Sequence, residues 1–116
     1  MRLHLNVDYV DLITEPGPDD VIAARRDAAS EIYKKVRFSV RAHNPVAIAV
    51  AGHFDCLANA ASREEHLNQI RKAVGEVQSW GGIRVMGLWV NEWGWIDLIV
   101  DTGQKPEPVS YPQYPL

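Results

Sequence analysis

The run Val46-Ala47-Ile48-Ala49-Val50-Ala51 constrains this chain more than any other stretch. Small and β-branched apolar residues follow one another with no polar alternation, which fits a strand covered on both faces, as strands of parallel sheets are. Such a strand needs helices around it, and helical patterns stand on either side in the sequence. The expected class is α/β: a mostly parallel sheet of about four strands flanked by helices.

The remaining elements follow from period and punctuation. Leu3–Ile13 alternates apolar and polar residues for most of its length, predicting a strand with one covered face. Glu15-Pro16-Gly17-Pro18 ends it. Asp19 and Asp20 then read as N-caps of one long helix to about His43, with Val21, Ile22, Ala28, Ala29, Ile32, Val36 and Val40 on its apolar side. Asn44-Pro45 stops that helix. Ser62-Arg63-Glu64-Glu65 is a capping box, and the helix it opens carries Leu67, Ile70, Ala73, Val74, Val77 and Trp80 on one stripe before Gly81-Gly82 closes it. Ile83–Val90 predicts a second buried strand, Asn91–Gly94 a turn, and Trp95–Val100 a further strand. Residues 1–102 thus make one α/β domain. Residues 103–116 contain Pro106, Pro108, Pro112 and Pro115 and are expected to be an extended tail.

Composition excludes several function classes. The net charge of −3 and the lack of a basic run argue against nucleic acid. No apolar run approaches the roughly 20 residues that cross a bilayer, and Met1–Asp11 has no apolar leader core, so a cytoplasmic protein is expected. Cys56 is the one cysteine in the sequence, which fits a reducing compartment.

Chemistry is expected directly after the apolar run, because open parallel sheets bind ligands at the carboxyl ends of strands. Gly52 permits a sharp turn there, and His53 and Cys56 follow three residues apart. Imidazole nitrogen and thiolate sulfur are both good zinc ligands at such short spacing. The bland alternative is a hydrogen-bonded histidine and a buried cysteine at a strand end.

The wider sequence adds to this pair. Val50-Ala51-Gly52-His53-Phe54-Asp55-Cys56 resembles the second zinc-ligand motif of β-class carbonic anhydrases, an apolar strand ending in Gly-His-x-x-Cys. The likeness extends to a compact prokaryotic branch of carbonic anhydrase-like proteins. It rests on Val7-Asp8-Tyr9-Val10-Asp11, Ile13-Thr14-Glu15-Pro16-Gly17-Pro18, Ala58-Asn59, Gln69–Val74, Ser79-Trp80-Gly81 and Gly87-Leu88-Trp89-Val90. The resemblance implies a zinc held by two Cys and one His, with water of pKa about 7 as the nucleophile toward carbon dioxide. His53 and Cys56 take the second and third ligand positions, and Gly52 and Asn59 belong to the same loop. The resemblance places the first ligand, and an Asp–Arg pair that handles the zinc-bound water, in an amino-terminal Cys-x-Asp-x-Arg segment. Nothing in this sequence matches that segment.

The expectation is therefore a truncated carbonic anhydrase-like chain with a partial zinc site and weak or no carbon dioxide hydration. The first alternative is an active zinc-dependent lyase or hydrolase that recruits a third ligand, Asp55 or His4, in an oligomer. The second is a thiol-based redox or sensor domain built on Cys56. His43 reads as a helix-end residue and His66 as solvated on the polar side of its helix. The acidic residues Asp8, Asp11, Glu15, Asp19 and Asp20 read as strand and cap positions rather than a hard-cation site. Trp80, Trp89, Trp93 and Trp95 read as core or dimer packing. The implied missing strand would lie between residues 5–13 and 46–51, so those two are expected to pair directly or to be bridged by a second chain in a homodimer or higher homo-oligomer.

Overall fold

A capping box begins the longest helix. Ser62 Oγ accepts the Glu65 N–H at 3.2 Å, and Glu65 Oε1 accepts the Ser62 N–H at 3.0 Å, so two of the free amide donors at this end are satisfied reciprocally. The structure, a computed structural model, describes residues 8–103. In chain order its elements are α1 (Pro18–Ala23), α2 (Ala28–His43), β1 (Ile48–His53), α3 (Arg63–Gly81), β2 (Val85–Val90) and β3 (Ile96–Asp101).

The sheet has three strands in the order β1-β2-β3, with β1 parallel to β2 and β2 antiparallel to β3. It is mixed, where a mostly parallel sheet of about four strands was expected. The short Asn91–Gly94 turn forces the second pairing, because parallel neighbours need a long crossover. Asn91 Oδ1 accepts the Trp93 and Trp95 N–H groups, each at 3.0 Å, and so shapes the turn. The covered strand is β2, whose first five residues are buried. β1 is an edge among the described strands, with Val50 and Gly52 buried while Ala49 and His53 are exposed.

The core explains why the apolar stripes read as they did. Ile22, Ile32 and Val36 of α1 and α2 meet Ile70, Ala73, Val74 and Val77 of α3 above Val50, Val85 and Trp89. A second cluster, Met86, Leu88 and Ile96, contains strand residues only. All helix residues of the core fall in the first cluster, so the helices stack on one face of the sheet rather than flanking both. Tyr33 of α2 meets Trp80 of α3 edge-on with centroids 5.3 Å apart.

Two sequence expectations fail here for identifiable reasons. The long helix from Asp19 is broken at Ala24–Asp27. The Arg26 N–H bonds the Val21 carbonyl at 3.0 Å and the Arg25 N–H bonds the Ile22 carbonyl at 3.2 Å, the Schellman pattern that ends a helix. Arg25 takes the left-handed position usually given to glycine, with φ 52°, so no residue type announced the stop. The alternating segment forms no strand over residues 8–13, and residues 1–7, with His4, lie outside the described residues. Tyr9 and Leu12 are exposed there, and no described strand runs alongside to pair with them. Direct pairing of that segment with β1 is therefore absent from residues 8–13. The tail expected at 103–116 lies outside the described residues except for Gly103.

Candidate functional site

β1 delivers the loop. Its last residue, His53, stands opposite Val90 in the parallel ladder, and the Phe54 N–H extends that ladder by bonding the Val90 carbonyl at 2.9 Å. The chain then turns through Asp55, which sits in the left-handed region at φ 60°, and the Asn59 N–H closes the turn on the Cys56 carbonyl at 3.2 Å.

The expected ligands are placed as follows. His53 is exposed, and its Nδ1 is 2.9 Å from the Phe54 carbonyl oxygen. A ring nitrogen can only donate to a carbonyl, so in the neutral ring this contact places the proton on Nδ1 and the lone pair on Nε2. Cys56 is a free thiol, half-buried on the same loop. Asp55 is exposed. Among the described residues, no group of three or more His, Cys, Asp or Glu is arranged to hold a metal ion. The donor chemistry of His53 Nε2 and Cys56 sulfur fits zinc, but as two ligands rather than the usual three or four.

Beneath the loop lies a polar cluster that sequence reasoning did not find. Asp19 is 1% exposed, His66 2% and Asn59 8%. Asp19 Oδ2 is 2.6 Å from His66 Nδ1, while Asp19 Oδ1 accepts from Asn59 Nδ2 and from the Asp20 N–H, both at 3.0 Å. Asn59 Nδ2 also donates to Gln69 Oε1 at 2.6 Å. A carboxylate this deep needs such donors, because an unpartnered buried charge costs several kcal/mol. The His66 ring rests on Trp89, centroids 5.1 Å apart, and Trp89 is the register partner of Gly52. Trp89 Nε1 is itself buried without a hydrogen-bond partner among the described residues.

Two earlier readings are corrected by this cluster. Neither Asp19 nor Asp20 is the helix cap: both lie in the first turn of α1, whose N-cap is Gly17, with φ 60° and no side-chain cap bond, followed by Pro18. His66 is not solvated, because it lies four residues before Ile70 on the buried stripe that continues through Ala73, Val74 and Val77. That spacing was the available signal. His43 is the last helical residue of α2, but Asn44 is the cap, and His43 Nδ1 pairs with Asp11 Oδ2 at 2.7 Å. The Ser39 hydroxyl and His43 together hold the Asp11 carboxyl below its ordinary value.

Around the loop, Phe54, Leu57, Trp93 and Trp95 are exposed. Of the four tryptophans, Trp89 is a core residue and Trp80 packs against the core, as expected. Trp93 and Trp95 do not belong to that core. No described helix is long and apolar enough to cross a membrane.

The sequence model of one protein family, described as "Putative carbonic anhydrase", matches residues 1–100. No curated protein and no solved structure is found to match.

Proposed function

Because the chain belongs to the Putative carbonic anhydrase family, we propose that its chemistry sits at the Gly52–Asn59 loop, as a partial zinc site with weak or no carbon dioxide hydration. The observation that carries this reading is the His53 Nδ1 contact with its own neighbour's carbonyl. Metal-ligating histidines commonly commit one ring nitrogen to a carbonyl or carboxylate, which fixes the tautomer and aims the other at the metal. His53 Nε2 and Cys56 would hold the ion, and Asp55 is the nearest acidic neighbour in sequence. Zinc bound there would supply Lewis acidity and lower the pKa of a water to about 7.

Two ligands hold zinc weakly, and among the described residues of one chain no third is arranged with them. A homo-oligomer is the second reading, favoured by Phe54 (51% exposed), Leu57 (94%), Trp93 (74%) and Trp95 (49%). Exposed aromatic and leucine side chains around a loop suit a contact with another chain, which could bring the third ligand. A thiol-based role for Cys56 has less support, since His53 Nδ1 faces a carbonyl and not the sulfur.

Metal analysis after dialysis tests the site. Bound zinc that falls on Cys56→Ser and on His53→Ala is expected. Substoichiometric zinc unaffected by either substitution would remove the metal reading. Stopped-flow carbon dioxide hydration on zinc-loaded protein should give a rate close to buffer for a monomer. A rate well above buffer that rises with protein concentration would favour the oligomeric enzyme.

A further inference from the structure

We propose that Asp19, together with His66 and Asn59, is the positioning unit of this loop: one buried carboxylate fixes both of its ends and so presets His53 and Cys56. The inference rests on the reading of those two residues as metal ligands.

The geometry at the first end is a close approach. A Cβ added to Gly52 would stand 2.6 Å from Asp19 Oδ2, so the carboxylate packs directly over the backbone one residue before His53. At the other end, Asn59 Nδ2 reaches the second oxygen of the same carboxylate at 3.0 Å. A Cβ on Gly17 would come 3.2 Å from Asn59 Cβ, so the turn before α1 lies against this end as well. His66 braces the carboxylate from α3, and Trp89 braces His66 from β2. Between these anchors the Phe54 N–H bonds the Val90 carbonyl and the Cys56 carbonyl accepts the Asn59 N–H. Loss of the hub would therefore free the loop without opening the sheet.

Stability alone does not account for such a cluster. Buried ionic groups are often replaced by well-packed apolar ones at no loss of stability, so the role we assign to this carboxylate is the geometry it imposes at Gly52 and Asn59. Partners that orient ligands in this way typically change metal affinity by about 10–100-fold when removed.

The test uses the full chain with Co(II) alone as probe, read by the thiolate-to-cobalt absorption, and amide hydrogen exchange of Phe54–Ala58 in metal-free protein. Asn59→Ala leaves the Asp19–His66 pair in place and keeps the fold. It should speed loop exchange at least tenfold and weaken Co(II) by about 10–100-fold, with central α3 amides unchanged. His66→Ala should likewise speed loop exchange and weaken Co(II), the loop by more than its loss of global stability moves the central α3 amides, and His66→Asn, whose amide nitrogen can stand near the lost Nδ1, should recover much of both. Val77→Ala, a core cavity in α3, should lower stability and move neither readout. Unchanged loop exchange in Asn59→Ala and His66→Ala, or an equal change in Val77→Ala, would overturn the proposal. Failure of the unsubstituted chain to take up Co(II) would instead sink the metal reading, while loop exchange would still decide the positioning role.

Discussion

Two aspartate–histidine pairs tie this molecule together, and they differ in almost everything but distance. Asp19–His66 spans 2.6 Å with side chains 1% and 3% exposed, and Asp11–His43 spans 2.7 Å with side chains 46% and 59% exposed. The first lies under the candidate site, joining α1 to α3. The second pins the irregular segment before α1 to the last turn of α2, with Ser39 Oγ 2.5 Å from the same Asp11 oxygen. Water screens the outer pair and substitutes for either partner when one is removed. No water does so at the inner pair, where the partner left behind is stranded in the core.

The largest predicted effect tests that contrast directly. His66→Ala leaves the Asp19 carboxylate short of a donor and should cost about 3 kcal/mol in denaturant unfolding. His43→Ala should shift the midpoint far less. Equal losses would mean that burial is not what separates the pairs. The double replacement Asp19→Val with His66→Leu sharpens the point. It should recover much of the stability lost by His66→Ala, since the buried donor and its acceptor leave together, yet leave the 53–58 loop exchanging fast. Recovery of loop protection as well would show the cluster to be packing only.

Next in size is Gly52→Ala. The methyl would meet Asp19 Oδ2 at 2.6 Å and Ile70 Cδ1 at 3.3 Å. A surface carboxylate would swing aside, but this one is held by three donors, so moving it breaks bonds that burial made necessary. A loss of about 1–3 kcal/mol is expected, together with weaker Co(II) binding. A neutral result would indicate that the carboxylate has room to move.

The contrast also explains what the sequence disclosed. The capping box, the α3 stripe and the Gly52–Asn59 loop were legible because each rests on a local pattern of a few residues. The strand expected at Leu3–Ile13 is not formed over its described part, residues 8–13, since alternation shows only that one face could be covered; a partner strand must exist to make it a ladder. Asp19 misled for a related reason. An aspartate after Pro-Gly-Pro suits a cap, and only the fold reveals that His66 waits 47 residues along to receive it. His66 itself was readable from its spacing to Ile70, but its polarity argued for the outer face. Arg25 gave no signal at all, because arginine is not a residue type that marks the left-handed position it takes. Family membership likewise leaves open which residues of this chain carry the chemistry.

The smallest predicted effect belongs to the outer pair and depends on pH. The hydrogen bond from Ser39, then that from His43, holds the Asp11 carboxyl below its unfolded value of 3.8. A carboxyl lowered in the folded state binds fewer protons than the unfolded chain does, so its contribution is fully present above the unfolded value. It is lost as pH falls through the folded value. Asp11→Asn should therefore separate from the unsubstituted protein near neutral pH, and the gap should close below about pH 4. Added salt should shrink the gap at every pH, because ions reach this exposed pair. A gap that persists undiminished in acid would mean that Asp11 acts through shape rather than charge. The exposed pair would then resemble the buried one in the respect that now separates them.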